Sequence, residues 1–187
     1  MPAPVDLALL HFPVLDKNGQ RVTTAVTNID IHDLARSART YGIRRFFVVT
    51  PVEVLRALAR RIIEHWETGF GSTYNPNRKD ALSIVRLAPD LDGAILDIEK
   101  ETGQRPRLVV TSARPAPGAV SYAAYREELA RLEQPQLLIL GTGWGLAPEI
   151  LERADLRLAP IEGAGTYNHL SVRAAGAVIL DRLLGAS

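Results

Sequence analysis

The feature that most constrains the fold is a series of short apolar runs in which polar and apolar residues do not alternate. A strand with one face in water alternates, whereas a strand buried on both faces is apolar throughout. We therefore predict a parallel β-sheet that is covered by helices on both sides. The predicted strands are residues 5–10, 45–50, 107–111 and 136–140.

Helical periodicity fills the segments between these strands. In one of them Leu55, Ala59 and Ile63 fall on a single face. Strands that alternate with helices predict an α/β sandwich. Because the chain has 187 residues and no linker-like segment, we expect one domain over residues 1–187. The predicted helices are residues 29–41, 52–66, 77–87, 91–102, 121–132 and 169–184.

Turn-forming residues mark several of the connections. The pair Asn18-Gly19 predicts a hairpin-like excursion. Residues 68–76 and 113–119 contain glycine or proline among polar residues, so we expect loops there. A further brief strand is predicted at residues 154–158.

Composition excludes several classes of chemistry. The sequence has no cysteine, which excludes disulfides, thiolate metal sites and a cysteine nucleophile. Its four histidines show no metal-ligand spacing, so no metal site is expected. Residues 1–6 lack the basic start and apolar run of a signal peptide, and the apolar runs are too short to cross a bilayer. We therefore expect a soluble, cytoplasmic protein.

The net charge of +1 does not by itself indicate nucleic-acid binding. A surface that binds RNA would instead depend on local clusters of basic residues. The candidate clusters are Arg36, Arg39, Arg44 and Arg45, and Arg78 with Lys79.

A glycine-rich turn follows the predicted strand at 136–140. It contains Gly141, Gly143 and Gly145 and leads into a short helix with Pro148 in its first turn. Ligands of open α/β sheets bind beyond the carboxyl ends of the strands, and glycines let the backbone approach a ligand closely. Taken alone, the turn is equally compatible with a tight connection that binds nothing. Its late place in the chain argues against a dinucleotide-binding fold, whose glycine turn follows the first strand.

A second glycine-bearing loop, residues 158–172, follows about twenty residues later and runs into an apolar helix. With this loop a family resemblance becomes specific. Leu-Gly-Thr-Gly-Trp-Gly-Leu at 140–146, Pro-Ile-Glu-Gly at 160–163 and Asn-His-Leu-Ser-Val at 168–172 resemble the motifs of SPOUT methyltransferases. More narrowly, the chain resembles a subfamily of S-adenosylmethionine-dependent RNA methyltransferases. Segments at 9–14, 27–33 and 74–79 share that resemblance, which covers nearly the whole chain.

The resemblance implies a parallel α/β fold with a C-terminal trefoil knot, a homodimer with its active site at the interface, and S-adenosylmethionine bound within the knot. It also implies a set of cofactor-binding residues. These are Leu140, Gly141, Thr142 and Gly145 in the first loop, Leu158, Ile161 and Gly163 in the second, and Asn168, His169, Leu170 and Ser171 before the last helix.

The segment at 36–42 resembles the arginine-bearing helix of SPOUT enzymes that methylate ribose, which makes Arg36 a candidate catalytic residue that faces the partner's cofactor. Those enzymes carry an asparagine where this chain has Asp30, and a glutamate in the first glycine loop that this chain lacks. The missing glutamate favours methylation of a base, such as guanine at N1, over methylation of ribose. A base nitrogen needs a proton acceptor. The candidates are Glu162 and His169, with Asp30 and Asp33 as further options.

The polar loop at 69–80 combines aromatic residues with cations, which is typical of surfaces that stack RNA bases and bind phosphates. We predict RNA contacts from Tyr74, Arg78 and Lys79, and from Arg39 on the predicted helix at 29–41. The alternative is a loop that faces the dimer partner and leads into a helix capped by Asn77.

The leading hypothesis is thus a methyltransferase that acts on a base, or a ribose, of tRNA or rRNA. Two other hypotheses remain open from sequence. One is a knotted protein that binds nucleotides or RNA without catalysis, and the other is an unrelated small-molecule enzyme with an α/β fold.

Overall fold

The computed structural model describes residues 3–186. Six parallel strands form one sheet in the order β5-β4-β1-β7-β6-β8, and a separate two-stranded hairpin lies between β1 and the first helix. The strands are β1 (Val5–Leu10), β2 (Val14–Leu15), β3 (Arg21–Val22), β4 (Phe46–Val49), β5 (Val85–Ala88), β6 (Arg107–Val110), β7 (Gln136–Gly141) and β8 (Leu156–Arg157).

Helices connect the strands and cover both faces of the sheet. They are α1 (Asn28–Thr40), α2 (Glu53–Glu67), α3 (Gly71–Tyr74), α4 (Pro76–Leu82), α5 (Leu91–Thr102), α6 (Tyr122–Leu129), α7 (Pro148–Glu152) and α8 (Val172–Leu184). Among residues 3–186, no helix combines the length and the apolar character that a membrane span requires.

The central strands are apolar throughout because successive side chains enter two different cores. On β1, Leu7 and Leu9 pack with α1, α2, α6 and α8, whereas Ala8 and Leu10 pack with α5 and α7. Burying each large apolar side chain contributes about 1.5–3 kcal/mol. The prediction of a parallel α/β sandwich is therefore confirmed, including its four central strands.

The predicted helix at residues 77–87 is confirmed for its first part and wrong beyond Leu82. Helix α4 ends at Leu82, and the chain then forms β5, in which Val85 pairs with Phe46 of β4. An apolar run of this length is ambiguous between helix and strand. In the folded protein, β4 offers an unpaired edge to residues 85–88, and pairing with this edge favours strand over helix.

Two helix starts also differ from the prediction. Asn75, not Asn77, caps α4: its Oδ1 accepts a hydrogen bond from the backbone N–H of Arg78 at 3.0 Å. The last helix starts at Val172 rather than at 169, because Ser171 is its N-cap and accepts from the N–H of Ala174. Residues 169–171 consequently belong to the second glycine-bearing loop.

The hairpin predicted at Asn18-Gly19 is confirmed. Gly19 has a φ of 77°, which glycine adopts without steric strain, and the Asp16 carboxylate accepts hydrogen bonds from two backbone N–H groups of the turn. The hairpin leads the chain back over the carboxyl end of β1, where Thr24 N donates to His11 O at 2.9 Å.

Candidate functional site

A cavity of about 900 Å³ lies beyond the carboxyl ends of the central strands. The loops that follow β6 and β7 form its walls together with the start of α8, while Ala25 and Asp30 close it from the N-terminal side. Nine of the eleven residues proposed as cofactor ligands line it. They are Leu140, Gly141, Thr142, Gly145, Ile161, Asn168, His169, Leu170 and Ser171.

The other two proposed ligands lie outside the cavity wall. The Leu158 side chain is buried in the core, and its backbone N–H donates to Val110 O at 3.0 Å, which extends the pairing of β8 with β6. Gly163 is exposed on the second loop. Leu158 therefore pairs with β6 through its backbone, and neither residue contributes to the cavity wall.

The first glycine loop is held rigidly against the hairpin. Trp144 N donates to Leu15 O, and Leu15 N donates to Gly145 O, each at 2.9 Å. Gly143 and Gly145 have φ values of 61° and 109°, which L side chains rarely adopt. A Cβ on Gly141 would lie 2.9 Å from the backbone N of Leu146. The sequence of this loop thus specifies the conformation of this part of the cavity wall.

The second loop is tied to the loop after β6. Ala159 N donates to Val120 O, and Val120 N donates to Arg157 O, both at 2.8 Å. Farther along, Asn168 Nδ2 donates to Ala113 O at 3.0 Å. The loop at 111–120 therefore contacts the C-terminal segment at two separate places.

An ion pair stands at one side of the cavity. Asp30 is 7% exposed, and its carboxylate contacts Arg173 Nη1 at 2.9 Å and accepts from Thr27 Oγ1 at 2.6 Å. Both Asp30 and Arg173 line the cavity. Sequence reasoning treated Asp30 as one option among four and missed Arg173, because their contact joins residues that are distant in the chain.

Arg36 lies outside this cavity. It is exposed on α1 and lines a shallow hollow of about 610 Å³ that also includes Ser171 and Arg173. Ser171 and Arg173 line both concavities and therefore lie between the cavity and the hollow. Within one protomer, Arg36 is therefore a neighbour of the cavity rather than part of it.

The other two candidate catalytic residues occupy different places. His169 is exposed in the cavity wall, and the Tyr167 ring meets it edge-on at 5.3 Å. Glu162 is exposed on the second loop and is not part of the wall. The fold of a single chain does not bring Arg36, Glu162 and His169 into one cluster.

The residues predicted to contact RNA fall into two groups. Arg78 and Arg39 have partners within the fold, since the Arg78 guanidinium lies 4.8 Å from the Trp66 ring centroid and Arg39 pairs with Asp80 at 2.9 Å. Tyr74 and Lys79 are exposed, and Tyr74 stacks beside Phe70.

Two members of the predicted arginine clusters have structural partners at the opposite end of the sheet. Arg44 Nε donates to the buried carboxylate of Asp6 at 3.1 Å, and Arg45 is buried and pairs with Glu101 at 2.7 Å. This network stabilises the amino ends of the strands, far from the cavity.

Sequence reasoning also missed a buried histidine behind the first loop. His11 Nδ1 lies 3.1 Å from Thr24 Oγ1, and the Thr24 hydroxyl in turn contacts the hydroxyl of Thr142. Burial lowers the pKa of His11 to about 4, so the ring is neutral at physiological pH. His11 thereby helps to hold the hairpin against the cavity wall.

The chain is similar to known proteins over nearly its whole length. A family model described as SAM-dependent RNA methyltransferase matches residues 4–185. An uncharacterized protein of Aquifex aeolicus is 45% identical over 179 residues, which cover 96% of this chain and 87% of that protein. A tRNA (guanine-N(1)-)-methyltransferase of Oleidesulfovibrio alaskensis is 46% identical over 178 residues, which cover 95% of this chain but 41% of that protein.

A solved structure supports the fold. The SpoU methyltransferase AviRb from Streptomyces viridochromogenes, in complex with AdoMet, superposes with a TM-score of 0.58 at 15% identity. The match covers 98% of this chain and 58% of that one. The family match and the superposition agree with the parallel α/β fold, which has its cavity at the carboxyl ends of the strands. The chain belongs to the S-adenosylmethionine-dependent RNA methyltransferase family and has the fold of the SPOUT methyltransferases.

Proposed function

We propose that the cavity binds S-adenosylmethionine and that the protein methylates a base of tRNA or rRNA at a ring nitrogen. One observation carries this proposal: three segments chosen from sequence converge on a single cavity of about 900 Å³. That volume lies within the range of pockets that enclose small-molecule ligands. Leu140, Leu146 and Ile161 line the cavity and would provide apolar contact for an adenine ring.

S-adenosylmethionine, when bound, supplies a methyl carbon on a sulfonium whose sulfur departs neutral. The chain therefore needs to align the acceptor and to remove one proton from it. In this assignment the first glycine loop, Ile161 and residues 168–171 hold the methyl donor. The backbone of the first glycine loop is already hydrogen-bonded, so little ordering of that loop accompanies binding.

Asp30 is the proton acceptor that the geometry favours. It is the buried carboxylate of the cavity wall, and Arg173 and Thr27 orient it. Glu162 and Asp33 stand outside the wall, which leaves His169 as the second candidate inside it. A carboxylate acceptor suits a base nitrogen better than a ribose hydroxyl, because the nitrogen gives up its proton far more readily. The name of the Oleidesulfovibrio relative mentions guanine N1, but this chain spans about two fifths of that protein.

We further propose that the enzyme is a cytoplasmic homodimer, that residues 1–187 of each copy form one domain, and that the C-terminal segment of this domain forms a trefoil knot. The contacts of the loop at 111–120 with Ala159 and Asn168 support a threaded segment. Half-buried Ala174 and Ala177 on α8, beside Arg36, support a partner at the hollow. The partner would bring its own Arg36 to the cavity.

Two measurements test this function together. Isothermal titration calorimetry should show micromolar binding of S-adenosylhomocysteine and no binding of NAD. Mass spectrometry of RNA from a deletion strain should show one methylated nucleoside missing, and the purified protein should restore it with S-adenosylmethionine. Cofactor binding without any lost nucleoside would indicate a knotted binding protein without catalysis, and absence of both would refute the proposal.

A further inference from the structure

The indole of Trp144 stands at the mouth of the cavity and is 56% exposed. The only other tryptophan, Trp66, is half-buried and contacts the Arg78 guanidinium. A tryptophan side chain left largely in water forgoes the stabilisation that its burial would provide. Such exposure on an otherwise well-packed loop indicates a surface that is available to bind a ligand.

The backbone that carries Trp144 is fixed. Its N–H donates to Leu15 O at 2.9 Å, and the glycines on either side have positive φ values. The indole therefore projects from a rigid support and has few degrees of freedom left to lose on binding. Rigid aromatic residues provide contact area at a low cost in conformational entropy.

A second flat ring lies on the other loop of the same cavity. His169 lines the cavity and is exposed, and the edge-on contact with Tyr167 supports its ring. Arg114, also exposed in the wall, makes no ion pair within the described part of the chain. The mouth thus combines two aromatic faces with a cation, which is the combination that binds a base and its phosphate in single-stranded RNA.

We propose that Trp144 stacks on the target nucleobase after it has left the RNA helix, with His169 on the opposite side and Arg114 on an adjacent phosphate. The proposal rests on the function assigned above. A base must be unstacked before an enzyme can reach its ring nitrogen, and an aromatic face replaces the lost stacking. Since Trp144 stands at the solvent-exposed mouth, whereas Leu140 and Gly141 lie deeper, the indole meets the methyl acceptor and not the adenine of the methyl donor.

Steady-state kinetics with RNA from the deletion strain and S-adenosylmethionine carrying a tritiated methyl group test this role. For Trp144→Ala we expect the KM for RNA to rise about tenfold or more, while the affinity for S-adenosylhomocysteine stays within about twofold. Trp144→Phe, which keeps an aromatic face, should lie within about threefold of the wild type. Leu96→Ala, a comparably exposed apolar residue on α5, is the matched control and should change neither value.

Fluorescence gives a second readout that does not need turnover. In Trp66→Phe, Trp144 is the sole indole, and single-stranded oligoribonucleotides should quench it whereas duplex RNA of the same length should not. If Trp66→Phe does not fold, the difference between wild type and Trp144→Phe supplies the same signal.

An unchanged KM for RNA in Trp144→Ala would overturn the proposal. So would a parallel loss of S-adenosylhomocysteine binding in a folded Trp144→Ala protein, which would assign the indole to the cofactor. Failure of the wild type to bind S-adenosylhomocysteine would instead refute the assigned function.

Discussion

At the scale of single residues, Asp30 shows how a charge can be kept in the wall of a cavity. A buried carboxylate is strongly disfavoured unless a cation and hydrogen bonds compensate for its lost hydration. Arg173 contacts Oδ1, and the Thr27 hydroxyl donates to Oδ2. These contacts hold the carboxylate in one orientation, which is what proton abstraction from a positioned substrate requires.

Asp30→Asn tests this role with little change in shape. The amide still accepts a hydrogen bond from Thr27, but it cannot take a proton, so we expect methyl transfer to fall by about 100-fold or more. Binding of S-adenosylhomocysteine should persist. Asp92→Asn removes another first-turn aspartate that pairs with an arginine, at the surface, and serves as the control. Turnover of Asp30→Asn at the wild-type rate would move the proton acceptor to His169.

His11 makes stability dependent on pH. Its pKa is lowered by burial from 6.5 to about 4, so the unfolded chain takes up a proton at a pH where the folded chain does not. The contribution of the neutral His11 ring to the free energy of unfolding is complete above pH 6.5. It is lost as the pH falls towards 4, and the total loss is about 3 kcal/mol. Tm measured from pH 7.5 to 4.5 should therefore fall less steeply in His11→Gln than in the wild type. Equal slopes would contradict this account.

At the scale of elements, the connection from β7 to α7 forms one wall of the cavity and is specified by its glycines. Gly141 needs no special φ; it is required because Leu146 approaches it closely. Gly143 and Gly145 are required by positive φ. Glycine is therefore required in this segment both by close packing and by positive φ. Both requirements fix where the cavity wall lies.

Gly141→Ala should disturb this wall. The added Cβ would meet the backbone N of Leu146 at 2.9 Å, so the loop must shift. We expect a loss of about 1–3 kcal/mol in stability and weaker binding of S-adenosylhomocysteine by calorimetry. Gly165→Ala on the second loop, where nothing lies within 4 Å of the added Cβ, is the matched control and should leave Tm unchanged. Equal effects of the two substitutions would show that close packing at Gly141 is unimportant.

At the scale of the whole molecule, the active site is incomplete in one chain if Arg36 takes part in the reaction. Arg36 lines the hollow beside α8, and Ser171 and Arg173 lie between this hollow and the cavity. A symmetric dimer places the same surface of each copy against the other, so each hollow can serve the partner's cavity. Sedimentation should accordingly report a dimer.

Complementation between variants tests the shared site. Arg36→Ala and Asp30→Asn should each be inactive as homodimers, and Arg36→Ala should still bind S-adenosylhomocysteine. When the two are co-expressed with different tags and purified together, each heterodimer contains one intact site and should recover about half of the wild-type activity. Activity that stays absent in the heterodimer would place Arg36 and Asp30 of the same chain in one site.

Local pattern determined much of this protein. The strands β1, β4, β6 and β7 were predictable because burial on both faces leaves a continuous apolar run in the sequence itself. The hairpin at Gly19 and the glycine loop after β7 were predictable because backbone conformation there depends on the residues present. The three segments that line the cavity were chosen through a family resemblance carried by those same loops.

Tertiary structure decided the rest. Residues 85–88 became a strand because β4 offered an unpaired edge, and α8 started at Val172 because Ser171 could cap it. The pairing of Asp30 with Arg173, the hollow at Arg36 and the exposure of Trp144 depend on side chains that meet only after the chain has crossed the sheet several times. Short-range pattern in a sequence reports the energetics of neighbouring residues, whereas contacts between distant residues acquire their free energy only when the fold has brought them together.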